Sequence, residues 1–450
     1  MSEFLTNLLF FIIAISVLVA IHEYGHYIVG RWCGMKVLRF SVGFGRPLVT
    51  WVRGKDQTEY CISAIPLGGY VRFLDSREGN IEPADEGRAF DHRPVPQRIA
   101  VLLAGPVFNF LFAIVAYWAI FASGVPTLLP AVGDIEPESY ADTAGLEFGD
   151  RIIAVGDREA VDWESALLAM LDEMVTDGQI PMRLEDVYGD ERNVVIDVGN
   201  DAARLTEPGM IFEGLGISPW RPPAIVGDIA PDGAASRVDL ASGDRIVSVA
   251  GTAVRTSNEL ISEVSARPGE TVTLEFYRGD ELRSVDIDVG AVEIEGQTIG
   301  RIGVGVRSDY GDLFYMRQFG PISAVREATV KTWDTMVFTV TMLGRMVTGD
   351  VSVKNISGPI NIAQFAGDSA ERGLNQFLTF LALVSISLGV LNLLPVPVLD
   401  GGQIVYQTVE LVKGSPMSER SQIIGQQFGI IALILLMSFA FYNDLSRVLG

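Results

Sequence analysis

The chain has 450 residues, of which 48% are hydrophobic and 20% charged, with 34 Lys+Arg against 56 Asp+Glu. Its net charge of −22 argues against a nucleic-acid binder, because too few cations are available to displace phosphate counterions. The apolar content excludes a disordered chain, and two cysteines exclude a disulfide scaffold. Strong acidity combined with a mean hydropathy of +0.30 predicts that charge and apolar residues occupy different segments.

Four segments without Asp, Glu, Lys or Arg are long enough to cross a bilayer, which takes about 20 helical residues. They are Phe4–Ile21, Ile99–Ser123, Phe377–Leu399 and Ile423–Asn443. The first is not read as a cleaved signal peptide, because Glu3 replaces a basic start and His22-Glu23 replaces a cleavage site. We therefore predict a polytopic α-helical membrane protein with four transmembrane helices, and an amphipathic surface helix over Pro321–Leu343.

The acidic residues are concentrated between the second and third predicted spans. Residues 124–376 hold 20 Lys+Arg and 42 Asp+Glu, so this insert carries the whole charge excess. The loop 22–98 holds 11 Lys+Arg, and the positive-inside rule places it in the cytoplasm together with the loop after the third span. Both termini and the acidic insert are then expected on the opposite side of the membrane.

The insert contains an internal repeat with a spacing of 94 residues and no gap. Val132-Gly133-Asp134-Ile135 recurs as Val226-Gly227-Asp228-Ile229, and Gly149-Asp150-Arg151-Ile152 recurs as Gly243-Asp244-Arg245-Ile246. Each copy continues with short alternating runs and one amphipathic helix, which predicts a small β-rich domain.

The repeat resembles PDZ domains, in which an extended peptide adds as a strand to a groove. The matching glycine-hydrophobic loops are Gly214-Leu215-Gly216-Ile217 and Gly303-Val304-Gly305-Val306, at the C-terminal end of each copy as in bacterial PDZ domains. The alternative is two β-rich spacer domains without a peptide ligand. The predicted domains are a membrane core (1–123), two PDZ domains (124–219 and 220–310), an amphipathic linker (311–376) and a second membrane segment (377–450).

The first span ends in the H-E-x-x-H motif His22-Glu23-Tyr24-Gly25-His26. At roughly 100° per residue, the two histidines lie about 40° apart on one helix face and can bind one metal ion. Glu23 is adjacent to that face and can reach a water bound to the metal. A histidine pair that binds haem or only forms hydrogen bonds is the alternative, but it leaves a costly intramembrane Glu23 without a role.

A catalytic zinc normally has a third protein ligand. The third span contains Pro395 and Pro397, which cannot continue a helix, and Asp400 follows this break. Broken backbone at membrane depth is tolerated where it lines a cavity or packs against protein. Asp400 is therefore the best third ligand, and the alternative is an ordinary helix end in the headgroup region.

These motifs together resemble the site-2 protease family over essentially the whole chain. The resemblance rests on the motif at His22–His26, on Asn392 with Pro395 and Pro397, on Leu399-Asp400-Gly401, and on the tandem PDZ insert. It implies an intramembrane zinc endopeptidase of the bacterial inner membrane, with a periplasmic insert. One Zn²⁺ would be held by His22, His26 and Asp400, and Glu23 would be the general base.

The resemblance implies roles for three further segments. Asn392 matches an asparagine near the bound substrate, although simple helix–helix hydrogen bonding is an alternative. The run Ile65–Phe73, with Gly68, Gly69, Tyr70 and Val71, matches a membrane-associated β-hairpin whose edge can pair with an unwound substrate; packing alone is the other interpretation. The segment Ser357–Ala363 resembles a conserved linker with a gate or support role.

The implied partners are the lipid bilayer and single-pass membrane proteins, such as an anti-sigma factor and remnant signal peptides. The PDZ pair would exclude substrates with bulky outer domains. Two rival functions remain open, namely a PDZ scaffold with a vestigial metal site and a haem-binding or metal-transporting membrane protein.

Overall fold

The computed structural model describes residues 3–77, 79, 81–294, 297–307 and 310–449. They form two compact units. The first comprises Met1–Val125, Thr206–Pro208 and Met316–Gly450, and the second comprises Pro126–Leu205 and Gly209–Tyr315.

The N-terminal part of the first unit contains two long helices and two long strands. They are α1 (Glu3–Trp32), β1 (Val37–Arg53), β2 (Thr58–Phe73) and α2 (Val95–Ser123). Helix α1 continues without a break beyond the predicted span, so the whole H-E-x-x-H motif is helical.

Strands β1 and β2 bend and pair along three stretches, which produces a four-stranded mixed sheet in which residues 39–42 run parallel to residues 59–62. Residues 37–44 lie between residues 58–65 and residues 69–73, and residues 47–53 pair with the other side of the segment that begins at Thr58. Gly43 adopts a φ of 93° at the bend of β1, a conformation that suits glycine. The predicted hairpin around Gly68-Gly69 is therefore one edge of a larger sheet than the sequence indicated.

The first repeat consists of short helices and strands around one longer helix. In chain order they are β3 (Val125–Leu128), β4 (Val132–Ile135), α3 (Tyr140–Thr143), β5 (Arg151–Val155), β6 (Arg158–Glu159), α4 (Trp163–Asp177), β7 (Gln179–Glu185), β8 (Glu191–Asp197), α5 (Ala202–Leu205), α6 (Met210–Leu215) and β9 (Ile217–Pro219). The main sheet has the order β6-β5-β7-β8, and β4 pairs with β9. Asp162 caps α4 by accepting from the Ser165 backbone N–H at 2.7 Å.

The second repeat has a larger sheet. Its elements are β10 (Ile225–Ile229), β11 (Arg245–Val249), β12 (Thr252–Ala253), α7 (Ser257–Ser265), β13 (Thr271–Arg278), β14 (Glu281–Asp288), β15 (Gly290–Ile294), β16 (Gln297–Arg301) and β17 (Val304–Arg307). The strand order is β14-β13-β11-β10-β17, with β12 on β11 and a separate two-stranded sheet of β15 and β16.

The repeated Gly-Asp-Arg-Ile sequence has a shared structural role. Asp150 and Asp244 are each 1% exposed, and each accepts a backbone N–H from three residues upstream. Each also pairs with a guanidinium group, Arg192 at 2.5 Å and Arg278 at 2.7 Å. Each repeat has its own hydrophobic core. The predicted β-rich modules are therefore present, whereas their assignment as PDZ domains stays a prediction.

The C-terminal part contains one strand and five helices. They are β18 (Phe314–Arg317), α8 (Pro321–Thr348), α9 (Pro359–Glu371), α10 (Leu374–Leu393), α11 (Asp400–Lys413) and α12 (Glu419–Leu449). Across the described residues, four helices are long and apolar enough to cross a membrane, namely α1, α2, α10 and residues Arg420–Arg447 of α12. This agrees with the four predicted spans. Helix α10 ends at Leu393, before Pro395, as the prolines predicted.

Helix α8 is amphipathic, as predicted, but one face is packed inside the first unit. Ala324 and Ala328 are fully buried and join a cluster with Ala113 of α2 and Ile386 of α10. The opposite face, including Trp333, is exposed. The small buried residues allow α8 to approach its neighbours closely.

Candidate metal centre

Three potential ligand atoms converge where α1 meets the start of α11. His22 and His26 are each 8% exposed, and their Nε2 atoms lie 3.1 Å apart. The Oδ2 atom of Asp400 lies 3.1 Å from His22 Nε2 and 3.5 Å from His26 Nε2. The three side chains form a group that can hold one metal ion.

The donor set fits zinc. Asp400 Oδ2 is buried, and no group in the described ranges is oriented to hydrogen-bond to it. A buried carboxylate oxygen beside two imidazole nitrogens is costly unless a cation or proton lies between them. Two imidazoles and one carboxylate, with a fourth position left for water or substrate, form a typical catalytic zinc site.

Glycines and prolines position Asp400. A Cβ atom at Gly401 would overlap the carbonyl group of Leu393, and one at Gly402 would overlap that of Val396. Helix α11 can therefore begin directly against the broken end of α10. Pro395 and Pro397 lie in this non-helical connection. The segment from Pro395 to Gly402 thus allows a tight connection between α10 and α11, and this connection places Asp400 beside the histidines.

Helix α2 supplies outer contacts to both imidazoles. The Val101 carbonyl oxygen lies 2.7 Å from His26 Nδ1, and the Asn109 Nδ2 atom lies 3.2 Å from His22 Nδ1. Between these residues, a Cβ atom at Gly105 would overlap both rings. Positions 101, 105 and 109 share one helix face. The sequence reasoning missed this face, although a polar Asn109 within an apolar span was a usable signal.

These contacts set which ring nitrogen faces the metal position. The Val101 carbonyl accepts from His26 Nδ1–H, which leaves a lone pair on Nε2. Asn109 Oδ1 is buried and has no hydrogen-bond partner within the described ranges. If the Asn109 amide is rotated by 180°, its Oδ1 atom lies against His22 Nδ1 and accepts the Nδ1–H hydrogen bond. This gives both atoms a partner and leaves a lone pair on His22 Nε2, as in His26.

A cavity of about 950 Å³ opens at the three convergent side chains. The predicted residues that line it are His22, Glu23, His26, Gly68, Gly69, Tyr70, Val71, Asn392 and Asp400. The carboxylate of Glu23 accepts from the Val71 backbone N–H. A Cβ atom at Gly69 would lie 3.0 Å from Glu23 Cγ, so glycine allows the sheet edge to contact α1.

Asn392 lines the same cavity and is only partly buried. Its role toward a molecule in the cavity stays a prediction, as does the alternative of a helix–helix hydrogen bond.

The predicted peptide-binding loops lie in the second unit. Leu215 and Ile217 belong to the core of the first repeat, and Val304 and Val306 pack against the core of the second. Gly216 and Gly303 have φ values of 72° and 76°, which favour glycine. Peptide binding by Gly214–Ile217 and Gly303–Val306 stays a prediction. Strand β17, which follows Gly303, lies at an edge of its sheet.

Comparison with known proteins identifies related chains. The model of Peptidase family M50 matches residues 10–436. The regulator of sigma-E protease RseP from Escherichia coli K12 is 40% identical over 457 residues, covering 100% of both chains. RseP from Salmonella typhimurium strain 14028s is also 40% identical with the same coverage.

Two further matches were found. A Neisseria meningitidis serogroup A protein, named as a candidate zinc metalloprotease, is 41% identical over 456 residues, covering 99% of this chain and 100% of that protein. The solved PDZ domain of an SdrC-like protein from Listeria monocytogenes is 25% identical and matches 19% of this chain and 88% of that domain, but its TM-score of 0.17 supports no conclusion. The family match and the end-to-end relatives together show that this chain belongs to Peptidase family M50 and is a membrane zinc protease.

Proposed function

We propose that this protein cleaves the transmembrane segments of single-pass membrane proteins. The observation that carries the proposal is the convergence of His22, His26 and Asp400 in a cavity that also contains Glu23 and Asn392. The cavity lies among helices that are apolar enough to span a membrane. A peptide bond hydrolysed there would come from a substrate segment that lies in the bilayer.

The chemistry is divided among these residues. His22, His26 and Asp400 would hold one Zn²⁺, which when bound polarises a carbonyl group and lowers the pKa of a water molecule. Glu23 accepts a proton from the attacking water and delivers it to the leaving amine as the C–N bond breaks. The Asn392 amide donates to the carbonyl oxygen of the substrate as negative charge develops there.

The edge of the sheet would hold the substrate extended. Residues 69–73 pair with β1 on one side, and Gly68 through Val71 line the catalytic cavity. A helical substrate hides its backbone amides, so cleavage requires local unwinding. Pairing with the sheet edge replaces the lost helical hydrogen bonds and presents the scissile bond to Glu23.

The acidic insert would restrict which substrates enter. We interpret its two repeats as PDZ domains, with groove loops at Gly214–Ile217 and Gly303–Val306, that lie in the periplasm. They would exclude substrates whose outer domain has not been trimmed. The relatives named as sigma-E regulators favour a membrane-bound anti-sigma factor as substrate, and remnant signal peptides fit the same cavity requirements.

A reconstituted cleavage assay tests the enzymatic role. The full chain in zinc-containing liposomes receives a model single-span substrate with a short outer segment, with and without a chelator. Glu23→Gln should retain zinc and lose at least about 10³-fold in rate, because water activation is lost. Asp400→Ala should lose both zinc and activity while still inserting. His92→Ala is the matched control, since this third histidine lies outside the catalytic cavity.

The same assay separates the rival interpretations. No cleavage by the intact protein would favour the non-cleaving scaffold, and undiminished cleavage by Glu23→Gln would remove its role as base. Full zinc occupancy in Asp400→Ala would require another ligand. A substrate series with folded outer domains of increasing size tests exclusion by the insert; equal cleavage of all members contradicts it.

A further inference from the structure

A groove separate from the catalytic cavity runs between α1, α2 and the sheet. It consists of an apolar cavity of about 500 Å³ and an adjoining cavity of about 370 Å³. Tyr24 and Phe40 line both, so the two are continuous. We call this the α1–α2 groove. In the described part of the chain, it shares no lining residue with the catalytic cavity.

The apolar part of the groove lies along two membrane-spanning helices. Ile21 of α1 and Phe108, Leu111 and Val115 of α2 line it. Leu111 and Val115 are 48% and 58% exposed, so the groove opens sideways toward the hydrocarbon. From Phe108 to Val115 the helix rises about 10 Å, which is most of the roughly 15 Å depth of one leaflet. These dimensions suit one acyl chain.

The other part of the groove is aromatic and positively charged. Arg53 lines it, and Arg31 donates to the Tyr27 hydroxyl at 2.6 Å, which in turn lies 2.7 Å from the Tyr60 hydroxyl. Burial raises the pKa of Tyr60 to about 12, and the positive charges of Arg31 and Arg53 oppose this rise. The Arg31 guanidinium lies 5.5 Å from the centroid of the Tyr27 ring, which lines the same part of the groove as Arg53. Trp51 stacks on Tyr60 with ring centroids 5.7 Å apart.

Among the described residues neither arginine forms a contact ion pair, and Asp56 acts on Arg31 only at longer range. No Asp or Glu is among the described residues that line either part of the groove. The nearby carboxylates are already paired, Asp56 with Arg88 and Glu59 with Arg39, each at 2.6 Å. Two guanidinium groups without a contact ion pair at the end of an apolar groove favour an anion with an apolar tail.

We propose that the α1–α2 groove binds one anionic phospholipid. Its phosphate contacts Arg31 and Arg53, its glycerol region lies beside Trp51 and Tyr60, and one acyl chain extends past Tyr24 toward Val115. Tryptophan and tyrosine favour this headgroup depth. Because Tyr24 belongs to α1 and Phe40 to β1, the lipid joins the helix of the H-E-x-x-H motif to the sheet that borders the catalytic cavity.

Native mass spectrometry of the delipidated full-length protein tests this site. Phosphatidylglycerol and phosphatidylcholine with identical acyl chains are titrated in parallel, with sn-glycerol 3-phosphate as a soluble phosphate probe. One phosphatidylglycerol should bind in preference to phosphatidylcholine. The double variant Arg31→Gln/Arg53→Gln should lower this preference about 25-fold, because each cation near an anionic lipid contributes roughly fivefold. Ala20→Trp, which fills the apolar part, should weaken both lipids.

A control variant that removes two positive charges outside the groove separates a specific site from a general effect of charge. Arg46→Gln/Lys55→Gln removes two charges from the same strand pair outside the groove and should leave the preference unchanged. Zinc content shows that each variant is folded. An unchanged preference in the Arg31/Arg53 variant overturns the proposal, as does equal binding of phosphatidylcholine. If sn-glycerol 3-phosphate binds with the same affinity as phosphatidylglycerol, the acyl chain has no role. If the spectra show a dimer of the chain in place of the lipid complex, the occupant of the groove is a second copy of the protein.

Discussion

Arg98 of α2 forms a two-point ion pair with Glu410 of α11. The Arg98 Nη2 atom lies 2.6 Å from Glu410 Oε1, and Nη1 lies 3.1 Å from Oε2. The two side chains are only 10% and 20% exposed. Since Asp400 begins α11 and Val101 lies one turn from Arg98, this pair connects the third candidate ligand to the helix that orients the histidines.

Arg98→Met should destabilise the protein by about 3 kcal/mol, because it leaves Glu410 largely buried without its partner. The double variant Arg98→Met/Glu410→Met should recover most of this loss. Thermal unfolding in detergent measures both effects. Arg77→Met is the control, since this exposed arginine pairs with Asp75 and should contribute less than about 1 kcal/mol. An Arg98→Met loss as small as that of the control would contradict a structural role for the pair.

Asn109→Ala should lower zinc affinity about 10- to 100-fold, as expected for the loss of an outer contact to a metal-binding histidine. Asn109→Asp retains an acceptor for His22 Nδ1–H and should bind zinc nearly as well as the original protein. Competition with a chelator measures the affinity. Asn375→Ala, on α10 and outside the cavity, is the control. Equal zinc affinity for the alanine and aspartate variants would rule out the acceptor role.

Gly69→Ala should reduce cleavage at least tenfold without changing zinc content. The new Cβ atom would lie 2.7 Å from the Ser41 carbonyl oxygen and 2.8 Å from Val19 Cγ1, so the sheet edge must move away from α1. Proline at Tyr70 or Val71 should have the same effect, because it removes an edge amide. Gly344→Ala is the control, since its added Cβ would meet no neighbouring segment within 4 Å. Normal turnover of the Gly69 variant would eliminate the pairing role.

Asp444→Ala should destabilise the start of α9 by about 2 kcal/mol. The buried Asp444 carboxylate accepts backbone N–H groups of Gly358, Ile360 and Asn361 at 2.8, 2.9 and 3.1 Å. This contact supports a bracing role for the predicted linker Ser357–Ala363. Hydrogen exchange of these three amides should accelerate in the variant. Glu371→Gln, at the exposed other end of α9, should leave them protected, and unchanged exchange in Asp444→Ala would contradict the cap.

The membrane architecture was predictable from the sequence because it depends on local composition. Four charge-free segments match the four candidate spanning helices, and the proline-rich break coincides with the end of α10 at Leu393. The repeat spacing likewise indicated two β-rich modules before their cores were visible. The four-stranded sheet was not predicted, since its register depends on pairing between bent segments that are distant in sequence.

For the site, the sequence by itself determined the residue types that matter: two histidines one helical turn apart, a neighbouring glutamate, and an aspartate after a broken helix. Helical periodicity is enough to place His22 and His26 on one face. Only the tertiary structure decided that Asp400 approaches both, that Val101, Gly105 and Asn109 of α2 surround the imidazoles, and that the sheet edge contacts Glu23. These contacts join residues far apart in the chain through close packing, and no local pattern of hydrophobicity encodes them.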